Sequence, residues 1–301
     1  MLTEWLVHPE LRTPDKILML LFEAGAARAD QLASLLKIKE SSVQKKVFLI
    51  RKKGVPPQEA LKLKRLKKEI DEARANRREA AAEIREEYQR LCVKHEQQKD
   101  EWIKIDTLAG SGKSVYRLGI QGFTYVYQVM HRTNKPQELG EGQISHHVGL
   151  LEIFIRLVRR YRTEEIQWFG TWEATDFLFR NLEHLYRHEW EKDSQRARNE
   201  RKEVIRPDAR FFSGPNACWI EYDNGTEWTR QLEDKMKEYV ATLARIENQD
   251  PIVWVTVNEF RKKKLEQIWE YVRQDYKNPP KMYFFKAGEE TDFLGNMAVL
   301  I

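Results

Sequence analysis

With 301 residues the chain is long enough to bury a substantial core and to hold two domains. Its 52 Lys and Arg exceed its 47 Asp and Glu by only five, so the distribution of charge, more than the total, decides the class of partner. The two cysteines, Cys92 and Cys218, lack CxxC or Cys-His spacing, which excludes a disulfide scaffold and argues against structural zinc; no apolar run reaches membrane-spanning length, so a cytoplasmic protein without membrane contact is expected.

Residues 14–53 read as three short helices. Pro14 sits where a first helical turn tolerates it, Ile17, Leu18, Leu20, Leu21 and Phe22 supply an apolar face, and Gly25 ends the run. A second helix carries Leu32, Leu35 and Leu36, and a third starts at Ser41 or Ser42 with Val43, Val47 and Ile50 at inward spacing. Gln44, Lys45, Lys46, Arg51 and Lys52 then face outward, the pattern of a helix-turn-helix whose third segment reads double-stranded DNA. Ser42, at the start of that helix, joins the expected contact set. From Lys39 to Arg78 there are fourteen Lys or Arg against five Asp or Glu, a local footprint suited to phosphates.

Residues 56–100 form an insertion, free of Gly and Pro from Gln58 onward and rich in Ala, Glu, Lys and Arg, with Leu63, Leu66, Ile70, Ala73, Ala80, Ile84 and Leu91 in an approximate heptad interrupted by Arg77. One straight helix of that length would run roughly 60 Å and carry the following strands away from the recognition helix. The segment therefore folds back near Asn76, or a second copy completes the domain; a homo-oligomer built through this insertion, a coiled coil, is the expectation.

Trp102-Ile103-Lys104-Ile105 and Val115-Tyr116-Arg117-Leu118 alternate as two strands of a wing, with Lys113 at its tip as a phosphate or minor-groove contact. The tip, Ala109-Gly110-Ser111-Gly112-Lys113-Ser114, is not a Walker A loop: Thr107 stands where a Gly is needed and a strand, not a helix, follows.

From Ile144 the pattern changes to α/β. Val148, Leu151, Ile155 and Val158 mark a helix, Ile166 to Phe169 a strand, Tyr186 to Arg206 a charged helix or connector, Ile252 to Val257 a buried strand, Lys264 to Tyr276 a helix and Met282 to Phe285 a last strand. His146 and His147 open the first of these helices, where they cap and pack it or reach phosphate or the carboxylates among residues 208–223; His184 and His188 share a helix face without a third metal ligand.

The most informative block is Arg206-Pro207-Asp208-Ala209, a short apolar run through Phe211 and Phe212, the turn Ser213-Gly214-Pro215-Asn216, and then a strand ending Glu221-Tyr222-Asp223. Asp208, Glu221 and Asp223 are expected to converge at strand ends as a Mg²⁺ site, because a hard cation takes oxygen ligands from carboxylates, water and phosphate. A following helix carries Lys235 and Tyr239.

That block, with the N-terminal helix-turn-helix and the His146 helix, resembles the replication-relaxation family of plasmid and mobile-element proteins. The resemblance implies DNA binding in replication initiation or relaxation, and a C-terminal part similar to the PD-(D/E)xK nuclease fold, in which an Asp, a Glu and a Lys gather metal and water around a phosphodiester. Asp223 stands where that nuclease pattern has its Lys, and Lys235 is the candidate replacement on the helix. The expected fold class is thus α+β: a winged helix-turn-helix over residues 1–130 with its helical insertion, and a restriction-endonuclease-like α/β domain over 140–301. Two alternatives stand beside the DNA-binding reading: a Mg²⁺-dependent endonuclease using Asp208, Glu221, Asp223 and Lys235, and a non-enzymatic transcriptional or partition regulator with a degenerate nuclease-like core.

Overall fold

The computed structural model describes residues 2–55, 57–75, 82–108, 110–130, 141–193, 195, 199 and 204–297. Among them the chain is mixed α+β, with twelve α-helices and two sheets of three and five strands. It divides into two compact units, one of residues 10–144 and one of residues 145–301 together with residues 1–9. No described helix is long and apolar enough to cross a membrane.

The first unit begins with α2 (Thr13–Ala24), which buries Ile17 to Leu21 almost completely and ends at Gly25. The strand β1 (Ala26–Arg28) leads to α3 (Ala29–Leu36), and a left-handed Lys37 closes that helix before α4 (Glu40–Lys52). Val43, Val47 and Ile50 bury the inner face of α4, as their spacing predicts. The strands β2 (Ile103–Thr107) and β3 (Ser114–Leu118) pair antiparallel, and β3 also pairs with β1, giving the order β1-β3-β2. Helix α7 (Ile120–Met130) packs against α2 and β3.

The insertion comprises two helices, α5 (Pro57–Ala75) and α6 (Ala82–Asp100), which pack on each other. Lys62 pairs with Glu87, and Glu59 with Lys94, so the start of α5 meets the end of α6 and the two run antiparallel. Leu66 and Leu91 are buried in their seam. Pairing within one chain returns β2 to α4 without a second copy. The fold-back point near Asn76, with Arg77 and Ala80, lies outside the described residues.

In the second unit α8 (Glu141–Arg160) precedes β4 (Ile166–Gly170), α9 (Thr171–Lys192), β5 (Ala209–Ser213), β6 (Asn216–Asp223), α10 (Thr229–Arg245), β7 (Ile252–Thr256), α11 (Glu259–Val272), β8 (Met282–Lys286) and α12 (Glu290–Asn296). Strands β4, β5 and β6 form an antiparallel meander, and β7 and β8 continue it in parallel, each reached through a helix. The short α1 (Leu2–Val7) packs on β4, so residues 1–9 belong with this unit although the sequence expectation grouped them with the N-terminal domain. Trp219, Trp254, Leu232, Met236, Tyr239 and Leu243 fill the core beneath α9, α10 and α11. The last helix of the sequence reading, Lys264 to Tyr276, starts earlier: Asn258 caps it by accepting from Arg261 N, and α11 runs from Glu259. Of the charged stretch from Tyr186 to Arg206, residues up to Lys192 continue α9; several after it lie outside the described residues.

Candidate functional site

On α4, Gln44, Lys45 and Lys52 are exposed and Ser42 and Lys46 half-buried. Gln44 donates to Glu40 of its own helix at 3.2 Å. Arg51 faces another way: its Nε donates to the Ile103 carbonyl at 3.0 Å, and Nη2 meets Asp100 Oδ1 at 2.5 Å and Glu96 at 3.3 Å, so it ties α4 to α6 and β2. With only 13% of its side chain exposed, Arg51 is engaged within the fold. Lys113 is exposed in the β2–β3 turn, with Asp30 of α3 at 3.9 Å.

The second site grows from the strand register. Ala209 pairs with Ile220, so Asp208 stands opposite Glu221 on the neighbouring strand, at the end where β6 and β7 finish. Thr171, at the start of α9, donates its hydroxyl to the Asp208 carbonyl at 2.9 Å and pins the entry to β5. The Asp208 carboxylate accepts from Tyr222 N at 2.7 Å and meets His146 Nε2 at 3.0 Å. His146 reaches it because α8 lies close on the sheet: a Cβ on Gly149, one turn further, would fall 2.1 Å from the Tyr222 ring. The His146 ring itself packs edge-on against Tyr222, with centroids 5.7 Å apart.

Glu221 is fully buried. Lys235, two turns into α10, places Nζ 2.5 Å from its Oε2 and 5.5 Å from the Trp254 ring centre, while Tyr239, one turn later, donates its hydroxyl to Oε1. The i and i+4 spacing of Lys235 and Tyr239 is what brings both to one carboxylate. The structure does not bring Asp223 into this group. Its carboxylate meets Arg261 Nε at 2.5 Å and Nη2 at 3.0 Å and accepts from the Thr256 hydroxyl at 3.1 Å, a closed buried pair. Arg261 also donates to the Glu227 carbonyl at 2.7 Å, fastening the loop between β6 and α10 to the start of α11.

Charge within the group is distributed unequally. Burial opposes ionisation of Asp208, but Lys235 and His146 outweigh it and hold the carboxyl below the ordinary Asp value. Burial, reinforced by the Asp208 charge, pushes Glu221 up to about 8 against the pull of Lys235. Burial likewise opposes the charges on Lys235 and His146, yet the carboxylates prevail and both are raised. Lys235 thus remains a cation, and of the two carboxyls Glu221 takes a proton first. Two acids driven apart in this way, beside a fixed amine, place an ionised carboxylate and a carboxyl that still holds its proton near neutral pH side by side.

Among the described residues no three His, Cys, Asp or Glu are gathered as a metal site. Asp208 and Glu221 still offer carboxylate oxygens from adjacent strands, each with a second lone pair beyond its present donor, and one or two carboxylates with water and phosphate suffice for Mg²⁺. Sequence reading singled out Asp208, Glu221 and Lys235. His146 is expected from the sequence to reach phosphate or the carboxylate cluster; the bond from Tyr239 to Glu221 is not, nor are the contacts of Thr171 and Arg261, whose partners lie 37 and 38 residues away.

Fold and site together define an α+β protein in which a helix-borne lysine meets two carboxylates at the ends of sheet strands. A family model for replication-relaxation matches residues 64–252, from within α5 to the start of β7. The chain belongs to the replication-relaxation family. Comparison with curated proteins and with solved structures gives no significant match.

Proposed function

We propose that the chain is a DNA-binding protein of plasmid or mobile-element replication or relaxation, whose second unit carries a nuclease-like phosphodiester centre. The carrying observation is the juxtaposition of Asp208 and Glu221 on neighbouring strands with Lys235 Nζ 2.5 Å from Glu221. Support comes from connectivity: a helix, an antiparallel meander, a helix and a parallel strand is the order of PD-(D/E)xK nucleases, with the acidic residues at the same strand ends. In the first unit the order α2-β1-α3-α4, then two strands after the inserted hairpin, with sheet order β1-β3-β2, is that of a winged helix.

In this reading Gln44, Lys45, Lys46, Lys52 and Lys113 hold duplex DNA, with Gln44 at a base edge and the lysines on phosphates. Asp208 and Glu221 would hold Mg²⁺, which when bound polarises a phosphoryl oxygen and lowers the pKa of bound water. Lys235 offsets negative charge developing on the phosphate and holds the Glu221 carboxyl in place. His146 keeps Asp208 ionised and oriented.

The test is nicking of supercoiled plasmid by the whole protein with Mg²⁺ or Mn²⁺. Asp208→Asn and Glu221→Gln are expected to abolish nicking and any metal-induced rise in melting temperature, and Lys235→Ala to slow nicking by about 100-fold or more. Brisk cleavage by Lys235→Ala would refute the helix lysine's role; no nicking and no metal-induced melting shift in the wild type would remove the centre and leave a DNA-binding regulator.

A further inference from the structure

Two large aromatic side chains stand in solvent beside the carboxylate centre. Trp228 is 78% exposed and Phe260 79% exposed, although single apolar residues scattered over a surface would call for no explanation. These two are not scattered. Trp228 precedes α10 and Phe260 lies in the first turn of α11, and their loops touch: a Cβ on Gly225, whose φ is +85°, would lie 3.5 Å from Val257 Cγ2. Arg261, next to Phe260, donates to the carbonyl of Glu227, next to Trp228, at 2.7 Å. The Glu227 charge in turn acts on Lys235, which links this rim to the buried amine.

Neither ring serves the fold. Trp228 occupies a helix N-cap, where Ser, Thr, Asp or Asn would accept a backbone N–H; an indole has only a donor. Each ring has an exposed cation on its own helix: α10 has no acid in its first turn and carries Arg230, with 92% of its side chain exposed and Asp234 at 4.0 Å, and α11, which has Glu259 in its first turn, continues from Phe260 into exposed Lys263. Exposed rings among cations are the composition that grips unpaired nucleic acid, since every base has a stackable face and that face is closed inside a duplex.

We infer that Trp228 and Phe260 form a base-stacking platform for an unpaired DNA strand at the rim of the Asp208–Glu221–Lys235 centre, with Arg230 and Lys263 on its phosphates. The platform rests on the reading of that centre as a phosphodiester site, and it adds a substrate class: strand that is melted or single-stranded where it enters.

The experiment measures anisotropy of a labelled oligothymidylate of about 12 nucleotides, and of a duplex, with the full chain in the absence of divalent metal. Trp228→Ala and Phe260→Ala are each expected to weaken single-strand binding by about 5- to 100-fold, Trp228→Phe to restore most of it, and duplex binding to remain unchanged. Photocrosslinking of a 5-bromodeoxyuridine oligonucleotide to the wild type is expected at Trp228 or Phe260. Single-strand affinity unchanged in the double alanine variant, crosslinks confined to other residues, or rings that prove to mediate self-association by light scattering would each overturn the platform. Ring-dependent strand binding without any nicking would support the platform and overturn the cleavage reading alone.

Discussion

The buried pair of Glu221 and Lys235 sets two residue-scale expectations. Removing one member of a buried ion pair strands the other, typically at about 3–5 kcal/mol when the remaining charge is not neutralised. Glu221, however, can take up a proton. Its carboxyl is raised to about 8 in the folded chain, above its unfolded value, so the stability linked to that proton is complete below the unfolded value and lost as pH rises through about 8. Lys235→Met removes the cation that faces both carboxyls, so it should destabilise the fold at about pH 5 and about pH 8.5 and move proton uptake by Glu221 to higher pH, read by chemical denaturation at the two values. The opposite partner is His146. Its folded pKa is raised, so its contribution is full below about 6.5 and fades as pH rises through the folded value. A histidine NMR titration should place His146 above about 6.5, and Asp208→Asn should lower it.

At the scale of the element, α4 combines residues with opposite duties. Lys45 and Lys46 are expected on phosphates, so replacing both with Ala should weaken duplex binding to all sequences and reduce the salt slope by about 0.9 per lost contact. Gln44→Ala should mainly relax specificity. Arg51→Ala should instead lower melting temperature and leave the salt slope unchanged, because its guanidinium is held by Asp100, Glu96 and the Ile103 carbonyl. Leu66→Ala or Leu91→Ala should hasten amide exchange throughout α5 and α6, since these residues fill the hairpin seam.

These elements also mark what was legible in the sequence. Val43, Val47 and Ile50 predicted the buried face of α4 because helical periodicity is local, and the apolar runs at Phe211 and Ala217 predicted β5 and β6 through a four-residue turn. Asp208 and Glu221 were legible for the same reason, as a hairpin fixes their register. Asp223 was misdirected by its strand phase: it shares a face with Glu221, but Arg261, 38 residues away, claims it. Arg51 fell on the outward side of α4 in a helical reading, and only the return of α6 and β2 reveals its partners. Long-range ion pairs of this kind leave no periodic trace.

Over the whole molecule, the first nine residues join the unit that otherwise begins at residue 145. Leu2 is buried, and α1 packs on β4, the edge strand that has β5 on its other side. Covering an edge strand also protects its unpaired backbone groups. Deleting residues 1–9 should lower the melting temperature of the unit of residues 145–301 while leaving duplex binding by α4 intact, as measured by calorimetry and a filter-binding assay on the same preparation.

The origin of the buried amine on α10, and not on β6, has a consequence for how the sequence can drift. A lysine carried on the strand would occupy position 223 and leave Arg261 without its carboxylate. With the amine supplied from position 235, two independent couplings arise: 221 with 235 and 239, and 223 with 256 and 261. Among diverged members of the family, substitutions should covary within each set and not between them, and loss of the acid at 223 should accompany loss of the arginine at 261 even where 208, 221 and 235 persist.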